Sequence, residues 1–324
     1  MNKLTSILFI FVFPFMASGL QAQMAPGTDE GIDFLVTTGA FARSSMGDDD
    51  HVQIFFFTIP VEEKKPFFIQ VFDPETGGKN DEAVGEFNTQ CRFSLFGGKG
   101  CHSAIEARGI QPTGNFKSGN LIATKTFGVD PKTDGTWYAF GPINPGEGEL
   151  MTGITGEVYA FKMICEGISG DDGNLYKYFM STNPHSQVAV SGGKTFTYEY
   201  TFRLKKGIAN LYPFVDDKVL KVRIQNFDFD NDGDIKLISH SYGGRDLNLA
   251  SGDEEWKSFD YVVTPEDKDK FLNLRFTCIG VHKNNNISLF ITNQYGEALP
   301  FFPVPLKEKL PGAGIVPTKI IKSN

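Results

Sequence analysis

An all-β fold with two sandwiches in tandem is what this sequence predicts, and three observations predict it. Helical periodicity is nearly absent. Phe (31) and Gly (35) are both abundant. Short apolar runs alternate with Gly, Asp, Asn and Pro clusters, the pattern of jelly-roll or Greek-key sandwiches. A chain of 324 residues also exceeds what one compact core usually holds, so two domains are expected.

Residues 1–22 read as a secretory signal peptide. Lys3 supplies the charged start, Leu8 to Met16 a short apolar stretch, and small residues follow, with cleavage after Ala22 or Gly19. That stretch is short for a bilayer span, which makes an N-terminal anchor the competing reading. The mature chain is expected to be bacterial and secreted, periplasmic or held at the cell surface, with no membrane insertion. Domain one covers 30–205. Its representative strands are 52–58, 67–72 and 195–202, the last placing Phe196, Tyr198, Tyr200 and Phe202 on one face. The boundary falls at Lys205–Asn210, and domain two covers 210–306 with strands at 220–224, 271–276 and 286–292. Residues 307–324, with their Pro-Gly-Ala-Gly run, read as a flexible tail.

A faint internal repeat links the halves. A strand at 67–72 runs into an acidic loop at Asp73, and a strand at 218–227 runs into another at Asp228; residues 172–183 echo 284–293 in the same order. Convergent strand–turn composition is the alternative.

Charge excludes two partner classes. The formal net charge is −8, and loss of Lys3 with the signal makes the mature chain one unit more negative. Neither nucleic acid nor an anionic lipid surface attracts such a chain. A protein or a surface polysaccharide remains as the expected partner.

The most informative motif is Asp228-Phe229-Asp230-Asn231-Asp232-Gly233-Asp234. Carboxylates at alternate positions around a glycine suit a hard cation with oxygen ligands, and calcium is the candidate outside a cell. Asp228, Asp230, Asp232 and Asp234 are the candidate ligands, with Asp73, Glu75 and Asp81 forming a looser second set. An EF-hand is excluded, because its twelfth position is Ser239 and the following residues alternate like a strand. A solvated hairpin turn is the competing reading. Acidic runs at 46–50 and 170–174 read as loops.

Four cysteines occur, at 91, 101, 165 and 278. Cys91 and Cys101 flank a Gly-rich turn, which predicts a disulfide worth about 2.5–3 kcal/mol in the chain-entropy model. Cys165 and Cys278 lie in apolar runs and read as buried thiols. Zinc is not expected, since only His102 is near the first pair. Trp137 and Trp256 each begin a strand beside a turn, where an aromatic ring can face a ligand.

No nucleophile elbow, phosphate loop or metal-spaced histidine pair is present. A non-catalytic binding or structural role is therefore expected. The alternative is a carbohydrate-active enzyme, a glycoside hydrolase or lyase on a jelly-roll scaffold. It needs paired carboxylates such as Glu149 with Glu157 or Glu166.

Gly170-Asp171-Asp172-Gly173-Asn174-Leu175-Tyr176, with strand-like residues 158–162 before it and 55–60 earlier, resembles the Gly-Asp-x-Asp-Leu-Tyr signature of bacterial pre-peptidase C-terminal modules. The resemblance implies a small secreted β-sandwich appended to an exported protein, of a kind that in some members binds calcium.

Overall fold

Alternation along each strand decides which side chains meet. Gly207–Val215 buries Ala209, Leu211, Pro213 and Val215 and leaves the residues between them partly wet, as a strand with one solvated face should. Val52–Pro60 is instead buried along nearly all its length, because both of its faces are covered.

The computed structural model describes residues 23–241, 244–280 and 285–305. The signal segment and the tail from 307 lie outside the described residues, as does His282. Strands numbered in chain order form two large antiparallel sheets. The nine-stranded first sheet runs β17 (Trp256–Val262), β14 (Lys221–Phe227), β20 (Asn286–Asn293), β12 (Glu199–Arg203), β2 (Leu35–Thr38), β10 (Gly173–Ser181), β4 (Phe67–Phe72), β7 (Trp137–Ile143), with β1 (Met24–Ala25) beside β10. The 12-stranded second sheet runs β16 (Arg245–Asp246), β15 (Gly233–Ile238), β19 (Asn273–Cys278), β13 (Gly207–Val215), β21 (Phe301–Phe302), β11 (Lys194–Thr197), β3 (Val52–Pro60), β9 (Gly156–Ser169), β5 (Gln90–Gly97), β6 (Asn120–Phe127). β8 (Glu149–Gly153) flanks β9, and β18 (Lys270–Phe271) flanks β13. The sheets pack face to face on one core, to which the first gives Ile69, Val71 and Tyr178 and the second Phe55, Phe57 and Phe161.

The order of strands reveals a duplication. Each strand from β2 to β7, and β9 to β11, occupies the position that the strand ten places later occupies when counted from the opposite edge. β4 pairs with β7 as β14 pairs with β17, and β5 with β9 as β15 with β19. Where the halves join, β2 pairs with its counterpart β12, and β11 with its counterpart β21. This is the arrangement of two repeats about a pseudo-twofold axis. The repeats divide at Tyr198, upstream of the Lys205–Asn210 segment, and both sheets continue across the division. Side chains lock it as well: Arg203 Nη2 meets Glu82 Oε2 at 2.5 Å, and Asn286 Nδ2 donates to the Met46 carbonyl at 2.8 Å.

Two expectations fail. Residues 195–202 are not one strand: the chain leaves the second sheet after Thr197 and enters the first at Glu199. Phe196 and Tyr198 therefore join a smaller core on the outer face of the second sheet, while Tyr200 and Phe202 join the main core. Side-chain alternation continues through such a crossing, so periodicity does not register it. The Cys91–Cys101 disulfide is also absent, since all four cysteines are free thiols. β5 is extended between them, and six residues at strand rise span about 20 Å. Cys91 ends in the main core and Cys101 in the outer one. Cys91 instead shares the main core with Cys165 of the neighbouring strand β9. No helix among the described residues is long and apolar enough to cross a membrane.

Candidate metal centres

The duplication places two carboxylate clusters in equivalent settings. β4 ends Ile69-Gln70-Val71-Phe72-Asp73-Pro74-Glu75, and β14 ends Ile224-Gln225-Asn226-Phe227-Asp228-Phe229-Asp230. In each, the Phe pairs across the ladder with the Trp that opens the edge strand, Phe72 with Trp137 and Phe227 with Trp256. The Asp after it turns into the left-handed region, with φ of 55° at Asp73 and 59° at Asp228. Asp tolerates this conformation better than most residues.

The same hydrogen bonds hold both turns. Asp73 N–H donates to Thr136 O at 2.9 Å, and Asp228 N–H to Glu255 O at 3.3 Å, in each case the residue before the Trp. One carboxylate oxygen accepts the N–H two places before the Trp: Gly135 at 2.6 Å on Asp73, and Glu254 at 2.8 Å on Asp228. The acid three places before the Trp completes each cluster. Asp73, Glu75 and Asp134 form one, Asp228, Asp230 and Asp253 the other, and in each the ligand oxygens lie within 4.8 Å of one another.

Electrostatics oppose this crowding. Burial pushes Asp73 and Glu75 above the usual carboxylate range, with neighbouring acids adding to it. Burial, then the charges of Asp230, Asp253 and Glu254, raises Asp228 to about 7. Asp81 stands beside the first cluster with its carboxylate on the Gly77 and Leu175 N–H groups, both at 2.7 Å. Burial, then Asp73 and Glu75, lifts it to about 9. A divalent cation would reverse the sign of the local field. Three carboxylates are a fitting start for calcium, which fills its remaining sites with carbonyls and water.

The predicted ligands thus divide. Asp228 and Asp230 come together, as do Asp73 and Glu75. Asp232 is turned toward Asn285, whose Nδ2 lies 3.4 Å from Oδ2, and Asp234 lies on β15 with Lys236 Nζ at 3.6 Å. Sequence reasoning missed Asp134 and Asp253. The signal was present as Asp-x-x-Trp-x-x-Phe, at 134–140 and again at 253–259. Trp137 packs on Phe72 and Phe179, and Trp256 on Phe227 and Phe290, with ring centroids 5.0–6.5 Å apart. Trp256 Nε1 also donates to Asp49 at 3.0 Å. Both rings brace the clusters from the strand side.

The remaining acids hold loops. Asp172, in the Gly170–Tyr176 motif, accepts the N–H groups of Val84, Asn88 and Thr89 at 2.8–3.1 Å. Glu149 accepts those of Gly100, His102 and Ser103. These bonds and the Ser103 hydroxyl overcome partial burial and hold it at about 2. Glu166 lies between Arg92 at 3.1 Å and Lys117 at 2.6 Å, and Glu157 is exposed opposite Thr152 on the β8–β9 hairpin. Each of the three thus has its own setting, and Glu149 and Glu166 are committed to structural partners. The chain matches no protein-family model and no curated protein.

Proposed function

We propose that this chain is an exported, non-catalytic β-sandwich protein of the extracellular space, periplasm or cell surface, with loops rigidified by calcium and a protein or surface polysaccharide as partner. One observation carries the calcium reading: the same carboxylate triad is built twice, with the same register, turn and backbone donors. A solvated turn has no need to keep three mutually repelling acids in both copies. Antiparallel pairing from β4 across to β14 leaves those strands opposed in direction, so the triads lie at opposite ends of the first sheet. An ion in each ties an edge strand to its neighbour at the point where the ladder ends, which suits stiffening more than chemistry. Export rests on the pattern of residues 1–22.

A thermal melt in calcium and in chelator tests the reading. A ligand that binds only the native state raises its stability by about 2.7 kcal/mol at one hundred times the dissociation constant. An unchanged melting temperature refutes the calcium role.

A further inference from the structure

The β8–β9 hairpin breaks the twofold symmetry. β8 pairs with β9, whereas the strand ten places later, β18, pairs with β13 and not with β19. Residues 151–158 thereby lean over the outer face of the second sheet at the junction of the repeats. They enclose a cavity of about 110 Å³ between themselves, Phe196 and the second-repeat residues Phe214, Pro300 and Phe302. Its chemistry is uneven. The floor carries Phe196 and Phe302, stacked at 5.3 Å with an interplanar angle of 28°, and Phe56 stacks on Phe196 from outside the lining at 5.2 Å and 16°. One wall carries a polar pair, His102 Nε2 and Tyr198 Oη at 2.8 Å. Burial drives the His102 imidazole down to about 4, which leaves Lys194, whose Nζ donates to Thr155 Oγ1, as the cation of the lining. At the mouth, Ile154 is 42% exposed and neighbouring Leu150 58%, an apolar rim left uncovered.

We propose that this cavity is a binding site for a small aryl molecule bearing one hydroxyl group. The volume resembles cavities known to hold benzene and is well below that of drug-sized pockets, so one ring is the limit. An aromatic guest packs against the Phe196, Phe214 and Phe302 rings of the lining in the offset or edge-on geometry that rings prefer. A guest hydroxyl can add a further hydrogen bond at Tyr198 Oη, beside the one it shares with His102, which a bare hydrocarbon cannot. The site lies on the second sheet and uses none of the carboxylates of the candidate metal centres, so it stands or fails separately from them.

Phenol is the probe, followed by saturation-transfer NMR and calorimetric titration on the chain as expressed. Saturable binding is expected with a dissociation constant on the order of 1 mM. Ile154→Trp, at an exposed position, should block the mouth and weaken binding at least tenfold while leaving the unliganded melting temperature unchanged. Val158→Phe, which fills the cavity from within, should do the same. Cyclohexanol should bind at least tenfold more weakly than phenol. Absence of saturation by phenol, equal binding of cyclohexanol, or wild-type affinity in both filled variants would overturn the proposal.

Discussion

Replacing Asp134 with Asn separates a cation site from a solvated acidic turn, because the two readings predict different signs. The three ligand oxygens of its cluster lie within 4.8 Å of one another. Two unit charges at that distance repel by ~3.5 kcal/mol at an effective dielectric constant near 20, and by ~0.9 kcal/mol in bulk water. Asp134 is half-exposed and participates in two such pairs, so solvent screening places the relief at the low end, about 2 kcal/mol. In chelator, therefore, Asp134→Asn should be more stable than wild type. In calcium the same change removes a charged ligand. A tenfold or greater loss of affinity lowers the stabilisation at saturating ion by at least ~1.4 kcal/mol, and the wild type gains most. The ranking in calcium should then narrow or reverse. Urea unfolding followed by tryptophan fluorescence reads both arms, and Asp253→Asn repeats the test in the second cluster. If the variant exceeds wild type by the same margin in both buffers, no ion is held there.

Three further outcomes follow from single side chains. Glu30 is fully buried, and burial holds its proton to about 8 against 4.5 for the ordinary group. Its contribution to stability is full below the unfolded value and lost as pH rises through the folded one. Glu30→Gln should therefore flatten part of the decline in urea midpoint between those two values. Glu149 behaves oppositely: with its pKa lowered to about 2, its contribution is present above 4.5 and lost as pH falls toward 2. Glu149→Gln should cost about 1–3 kcal/mol near neutrality and flatten acid unfolding. Asp172→Ala removes the acceptor of three backbone N–H groups from a fully buried site, and should cost about 3–5 kcal/mol in urea unfolding. A thiol titration without reductant should count all four cysteines after unfolding and almost none in the native state, given their burial.

Local pattern carried much of the architecture. The strand at 67–72 and its echo before Asp228 were legible because alternation and acidic turns are properties of adjacent residues. The pairing of 172–183 with 284–293 was legible for the same reason, and β10 and β20 hold equivalent places in the sheet. Asp134 and Asp253 were not singled out, since each is some distance along the chain from the acids it joins. Only the ladders Phe72–Trp137 and Phe227–Trp256 bring them in.

Sequence alone determined that this chain is all-β, rich in Phe cores, and supplied with acidic loops at strand ends. Tertiary structure decided the rest: that the sheets run through both repeats, that the chain changes sheets at Tyr198, that Cys91 shares a core with Cys165 and not with Cys101, and that each acidic loop gains a third carboxylate from a distant turn. The physical reason is one of range. Side-chain alternation follows from the geometry of neighbouring peptide units, whereas which edges meet depends on burying whole faces, a condition that the entire chain satisfies together.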